Sequence, residues 1–145
     1  MASDDAIKDD PRIPYSLAMV VCDAIYVDPQ SGKRSITGVF SQIHSAIAFP
    51  ITLHAMAVYV ALSEWIGTHT LALQLVDMTE EAAPLFRMEA ELDYNDPLEV
   101  VEIDFRLGGV TFPAPGKYRL QLFAGTSILH ERLLIAVPFT EAPSP

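Results

Sequence analysis

Two stretches of the chain alternate apolar and charged residues with a period of two. Phe86, Met88, Ala90 and Leu92 share one parity, and Arg87, Glu89 and Glu91 hold the other. Val101, Ile103, Phe105 and Leu107 repeat the pattern against Glu102, Asp104 and Arg106. A helix at 3.6 residues per turn scatters such a series around its axis, whereas a strand sorts it onto two faces. The apolar rows are predicted to face a core and the charged rows to face water. Other β-like runs recur along the chain, with turn signals between them at intervals of about 8–14 residues, the spacing of a sandwich or barrel. The expected fold is all-β, a two-sheet antiparallel sandwich with about eight or nine strands and little or no helix.

The other runs fill in that plan. Leu17 to Val27 is apolar on both faces and reads as one doubly covered strand. Asp28-Pro29-Gln30-Ser31-Gly32-Lys33 is a turn, and Arg34 to Ile43 returns as the second arm of a hairpin. His44 to Phe49 is expected to add a short edge strand before Pro50. Leu53 to Leu62 places Met56, Val58, Val60 and Leu62 on one face and Ala55, Ala57 and Ala61 on the other. Thr70 to Val76, Lys117 to Ala124 and Ile128 to Val137 are further strands, and the Gly- and Pro-containing stretch from Leu107 to Gly116 is a connection. One domain is expected over residues 15–139, with a polar lead-in at 1–14 and a short tail at 140–145. Both Leu133 to Val137 and residues 53–62 are apolar on two faces, so each second face needs a cover, either from the same chain or from a second copy in a homodimer.

Composition narrows the function classes. Half of the 145 residues are hydrophobic, which suffices for a core without disulfide or metal. Nine Lys and Arg stand against nineteen Asp and Glu, for a net charge of −10. Phosphate binding needs clustered cations, so nucleic acid and anionic membrane are not expected partners. The charged fraction of 19% is low, which fits a surface partly covered by a protein partner. Cys22 is alone and lies in an apolar run, where a buried, inert thiol is the expectation. The start of the chain lacks the pattern of a secretory signal, and no apolar stretch reaches the roughly 18 residues of a membrane span. A cytoplasmic location is expected.

Three stretches resemble a known bacterial family. They are VCDAIYVDPQSGKRSITGVFSQIHSAIAFP at 21–50, GTHTLALQLVD at 67–77 and LGGVTFPAPGKYRLQLFAGTSILHERLLIAV at 107–137. The family is domain of unknown function 6941. The resemblance rests on Cys22-Asp23 at the end of a strand, on Ile36-Thr37-Gly38-Val39-Phe40 after a hairpin, and on Pro115-Gly116-Lys117-Tyr118 before two final strands. It implies an immunoglobulin-like sandwich in a bacterial cytoplasmic protein, with no assigned activity. The chain departs from the family pattern at Met78-Thr79-Glu80-Glu81, where a tighter Asp-Gly turn is usual. Pro-Gly-x-Tyr also has a meaning of its own: a Tyr at the first inward position buries its ring and returns its hydroxyl to nearby backbone. Tyr118, Gly116 and Cys22 are therefore expected to serve structure.

The residues that carry chemistry are dispersed. His44, His54, His69 and His130 lie in four segments with no spacing that places two on one face, so no metal site and no cofactor are expected. No Gly-x-Ser-x-Gly elbow and no phosphate loop occur. Glu89, Glu91, Glu102 and Asp104 alternate with core residues and are expected to point to water, whereas acid–base catalysis needs a carboxyl held in a pocket. Asp23 stands inside an apolar strand and is either hydrogen-bonded inward or a strand-end acid that caps a turn. Asp23, His44 and Asp77 are the candidates for contact with a ligand or partner. The expected function is a non-catalytic interaction or structural module. The alternative is a small-ligand or enzymatic site built by the loops 44–50, 78–84 and 108–115.

Overall fold

The computed structural model describes residues 13–79 and 83–138. Most of the expected lead-in and all of the tail at 140–145 lie outside the described residues. Twelve strands and no helix form the described residues, so the chain is all-β. They are β1 (Tyr15–Cys22), β2 (Ala24–Val27), β3 (Arg34–Thr37), β4 (Gln42–Ile43), β5 (Ile51–Leu53), β6 (Met56–Ser63), β7 (Gly67–Asp77), β8 (Phe86–Tyr94), β9 (Val101–Leu107), β10 (Val110–Phe112), β11 (Gly116–Ala124) and β12 (Ser127–Ala136). They pair into four sheets, in the orders β1-β6-β9, β4-β12-β11-β7-β8, β2-β3 and β5-β10.

The two larger sheets supply one core. From the three-stranded sheet come Met19, Val21, Val58, Val60, Leu62 and Phe105, and from the five-stranded sheet Leu71, Leu73, Leu75, Tyr118, Leu120 and Leu134. In β9 Phe105 and Leu107 are buried and Glu102 and Arg106 exposed, as the alternation predicts. No residue of β8 is buried, and Met88, expected inward, is 37% exposed, because β8 is the last strand of its sheet among the described residues. Trp65 closes one end, in the link by which the chain leaves β6 and enters β7. Its indole N–H donates to the Gly67 carbonyl at 2.7 Å, and its ring meets His69 and Tyr94 edge to face. Phe112 and Tyr118 form a further edge-to-face pair in the same core.

The strand count exceeds expectation because several long runs break. Leu17 to Val27 is two strands, parted by a bend at Asp23. Arg34 to Ile43 divides at Gly38, and its last two residues leave the hairpin to lie parallel to β12 in the five-stranded sheet. Leu53 to Leu62 divides before Met56, and the expected connection at 107–116 contains β10, which pairs with β5. His44 to Phe49 is not a strand. The Ser45 hydroxyl donates to the Ile47 carbonyl and accepts the Ile47 N–H, a local turn that competes with sheet pairing.

The second face of β6 receives its cover from the same chain. The β2–β3 hairpin folds back over it, so that Cys22, Ile25 and Ala57 form a small second core with Ile36 and Tyr59 beside it. Ala61 is buried as well. Small side chains suit a face on which a second layer of backbone sits. The second face of β12 is different: Leu133 is 44% exposed.

Candidate functional site: a motif junction, an ion cluster and an open edge

The Cys22-Asp23 pair marks where the chain turns out of β1. The Asp23 N–H is shared between the carbonyls of Thr37 and Gly38, and Phe40 N–H donates to the Val21 carbonyl. These bonds tie the start of the hairpin to its end. Gly38 is held at φ +68°, and a Cβ there would lie 2.2 Å from Asp23 Oδ2. Glycine is required twice over, by its left-handed backbone and by the carboxylate against its Cα. Cys22 is fully buried, with its thiol toward the Ala57 carbonyl at 3.5 Å, and burial raises its pKa.

The structure brings Asp23 and His44 to one place. Both line an open depression of about 290 Å³ together with Val39, Phe40, Gln42 and Leu53. Both side chains are exposed there. Asp77 lies elsewhere, at the end of β7. Its Oδ1 accepts the backbone N–H of Thr79 at 2.9 Å and the Thr79 hydroxyl at 2.8 Å, so it caps the turn that follows. Of the stretch Met78-Thr79-Glu80-Glu81, Thr79 is held by Asp77, and Glu80 and Glu81 lie outside the described residues.

Gly116 opens β11 at φ +147°, a conformation that L side chains rarely adopt. Two residues later Tyr118 is buried to 1% exposure. Its hydroxyl donates to the Ala114 carbonyl and accepts the Ala114 N–H. The loop between β10 and β11 is therefore closed on the tyrosine that follows it.

The hairpin covers Asp104, one of the charges that alternation assigned to water, and pairs with the more exposed charges beside it. Arg34 of β3 donates from Nε to Asp104 Oδ1 at 2.8 Å and reaches Glu102 Oε1 at 3.1 Å. Arg106 stands 3.7 Å from Asp104 Oδ2 and donates to the Ile25 carbonyl at 3.2 Å. Asp104 is left only 8% exposed. The guanidinium of Arg34 lies over the Tyr59 ring, whose hydroxyl donates to Glu102. Burial first, then that hydrogen bond, pushes the Tyr59 phenol up to about 12. The bond to Asp104 in turn raises the pKa of Arg34. The cluster clamps the hairpin onto β6 and β9. The signal in the sequence was Arg34, a strand cation on the segment that follows the turn, but its partners lie some 70 residues away.

The two seams between the large sheets differ. At one, Ser16 of β1 hydrogen-bonds His130 Nδ1 of β12 at 2.9 Å, and burial with the nearby Arg132 lowers the imidazole pKa. At the other seam stand β8 and β9, each the last strand of its sheet among the described residues. Between them runs a groove of about 390 Å³, with Leu85, Phe86 and Met88 on one wall and Arg106, Leu107 and Val110 on the other. Leu85 and Met88 are both more than a third exposed. A free edge of nine residues with apolar side chains beside it is an acceptor for another strand. Asp23, His44 and Asp77 do not line it, although residues 108–111 of the expected loop 108–115 do. The β8 edge itself went unmarked because strand order is not written in periodicity.

An all-β domain with a hairpin clamped over one sheet and one open seam is the class that this geometry defines. A family model described as a family of unknown function (DUF6941) matches residues 17–137, and the chain belongs to that family. A search of curated proteins finds no match. Among the described residues no group of three or more His, Cys, Asp or Glu is placed to hold a metal ion. No helix among them is long and apolar enough to cross a membrane.

Proposed function

We propose that this domain is a non-catalytic interaction module on an immunoglobulin-like sandwich frame, and that it engages a protein partner through the open β8 edge. The observation that carries the reading is the asymmetry of the seams. One is closed by Ser16 and His130, while β8, among the described residues, offers unpaired backbone beside the groove of Leu85, Phe86 and Met88. Strand addition to such an edge draws affinity from main-chain hydrogen bonds and specificity from alternate side chains. The acidic side chains support binding over catalysis: Asp77 caps a turn, Asp104 is paired with two arginines, and Asp23 lies against Gly38. The sandwich frame is supported by the shared core of the two large sheets and by the closed tyrosine loop at Tyr118.

The test is a photo-crosslinking residue placed at Met88 and, as a control, at the exposed Tyr26 of the hairpin, in cells that make the full chain. Protein adducts at position 88 and none at 26 are expected. Equal capture at both positions, or none at 88, overturns the edge reading.

A further inference from the structure

Resting on that reading, we infer that the partner of the β8 edge is a second copy of this chain, joined by antiparallel pairing of β8 with itself about a twofold axis at Met88. The argument is charge order. The outward row of β8 reads Arg87, Glu89, Glu91, Asp93, a cation at one end and acids along the rest. A uniformly basic strand laid on this row sets a cation against Arg87. An antiparallel copy reverses the order and pairs unlike charges.

The register follows from the same row. Pairing must keep the inward residues opposite one another, since a one-residue slip turns every side chain to the wrong face. A twofold axis at Arg87 opposes two arginines. An axis at Glu89 opposes two glutamates, an axis at Ala90 sets Glu89 against Glu91 twice, and an axis at Glu91 again opposes two glutamates. With the axis at Met88, Arg87 of each copy lies opposite Glu89 of the other, and no like charges are opposed. Arg87 already holds Glu89 of its own strand at 3.0 Å, so the four groups close into an alternating cluster. Met88, 37% exposed in the single chain, is placed against Met88 of the second copy. Phe86 falls opposite Ala90, a large inward residue against a small one. Pro84, which has no N–H to offer, falls opposite Leu92 and ends the ladder. The two five-stranded sheets then run on as one, through an interface that uses the same patch on both copies.

The experiment is sedimentation of the full chain from micromolar through millimolar concentration, with two charge variants. The natural chain is expected to pass from monomer to dimer. Arg87→Glu makes the row wholly acidic, and Glu89→Arg places two cations side by side. Each variant is expected to weaken self-association by about tenfold or more, since both cross-strand pairs change from attraction to repulsion. An equimolar mixture of the two is expected to restore a dimer holding one chain of each, because each cation then meets an acid. Both sites are exposed, and unchanged circular dichroism verifies that both variants fold. A natural chain that stays monomeric throughout overturns the inference, and so does a dimer indifferent to these substitutions or not restored by mixing. Crosslinking separates the two levels: a different protein captured at position 88 keeps the edge reading and removes the second copy, whereas no capture removes both.

Discussion

Truncating Tyr118 tests the packing at the start of β11. The ring is 1% exposed and meets Phe112 edge to face at 5.0 Å between centroids. Removing a buried aromatic side chain costs about 3–5 kcal/mol, because the transfer free energy is lost and a cavity remains. About 0.5–1.5 kcal/mol of that belongs to the aromatic pair. The hydroxyl is a smaller matter. It holds the carbonyl and N–H of Ala114, but Ala114 is exposed, and water replaces the phenol when it is gone. Tyr118→Phe is therefore expected to cost about 1 kcal/mol. Urea unfolding reads both values as shifts of midpoint at constant slope. A double-mutant cycle with Phe112→Leu isolates the ring pair and is expected to return a coupling of about 0.5–1.5 kcal/mol. A Tyr118→Ala variant within about 0.5 kcal/mol of the natural chain, as surface substitutions are, refutes the packing argument. Equal costs for Tyr118→Phe and Tyr118→Ala place the weight on the hydroxyl and refute the division.

Gly38→Ala drives a Cβ to 2.2 Å from Asp23 Oδ2 at a φ of +68° and is expected to cost about 2–4 kcal/mol in the same urea assay. Asp23→Gly with Gly38→Ala removes the clash and leaves the backbone strain, so the pair is expected to recover part of the loss; no recovery means that the carboxylate is not what Gly38 accommodates. Tyr59 predicts a loss of stability at high pH. Its folded pKa of about 12 lies above the ordinary 10.0, so the fold favours the protonated phenol. That contribution is whole below pH 10.0 and is lost as the pH rises toward 12. Tyrosinate absorbance is expected to show a late titration that is absent in Tyr59→Phe.

What the sequence determined by itself was local. The alternation in β9 assigned its buried residues, because a strand's two faces follow from backbone geometry alone. In β8, by contrast, Met88 shares the parity of Phe86 and Leu92 and is still 37% exposed. Pro115-Gly116-Lys117-Tyr118 announced a buried tyrosine, because the turn and the ring it serves lie within a few residues of each other. Alternation distinguishes two faces but does not say which of them water reaches. Glu102 and Asp104 share a parity, and both were expected in solvent; the hairpin leaves Asp104 nearly buried and half covers Glu102. The split of the first long run at Asp23 was also hidden. Its cause is the bond of Asp23 to Thr37 and Gly38 across the hairpin, not any breaker within the run. Strand order belonged wholly to the tertiary structure. β8 and β9 carry similar patterns, yet each becomes an edge because the chain crosses between sheets at 64–66 and 95–100. Hydrogen-bonded neighbours in a sheet are chosen by those crossings and by the burial of both faces together, and neither is a property of a single segment.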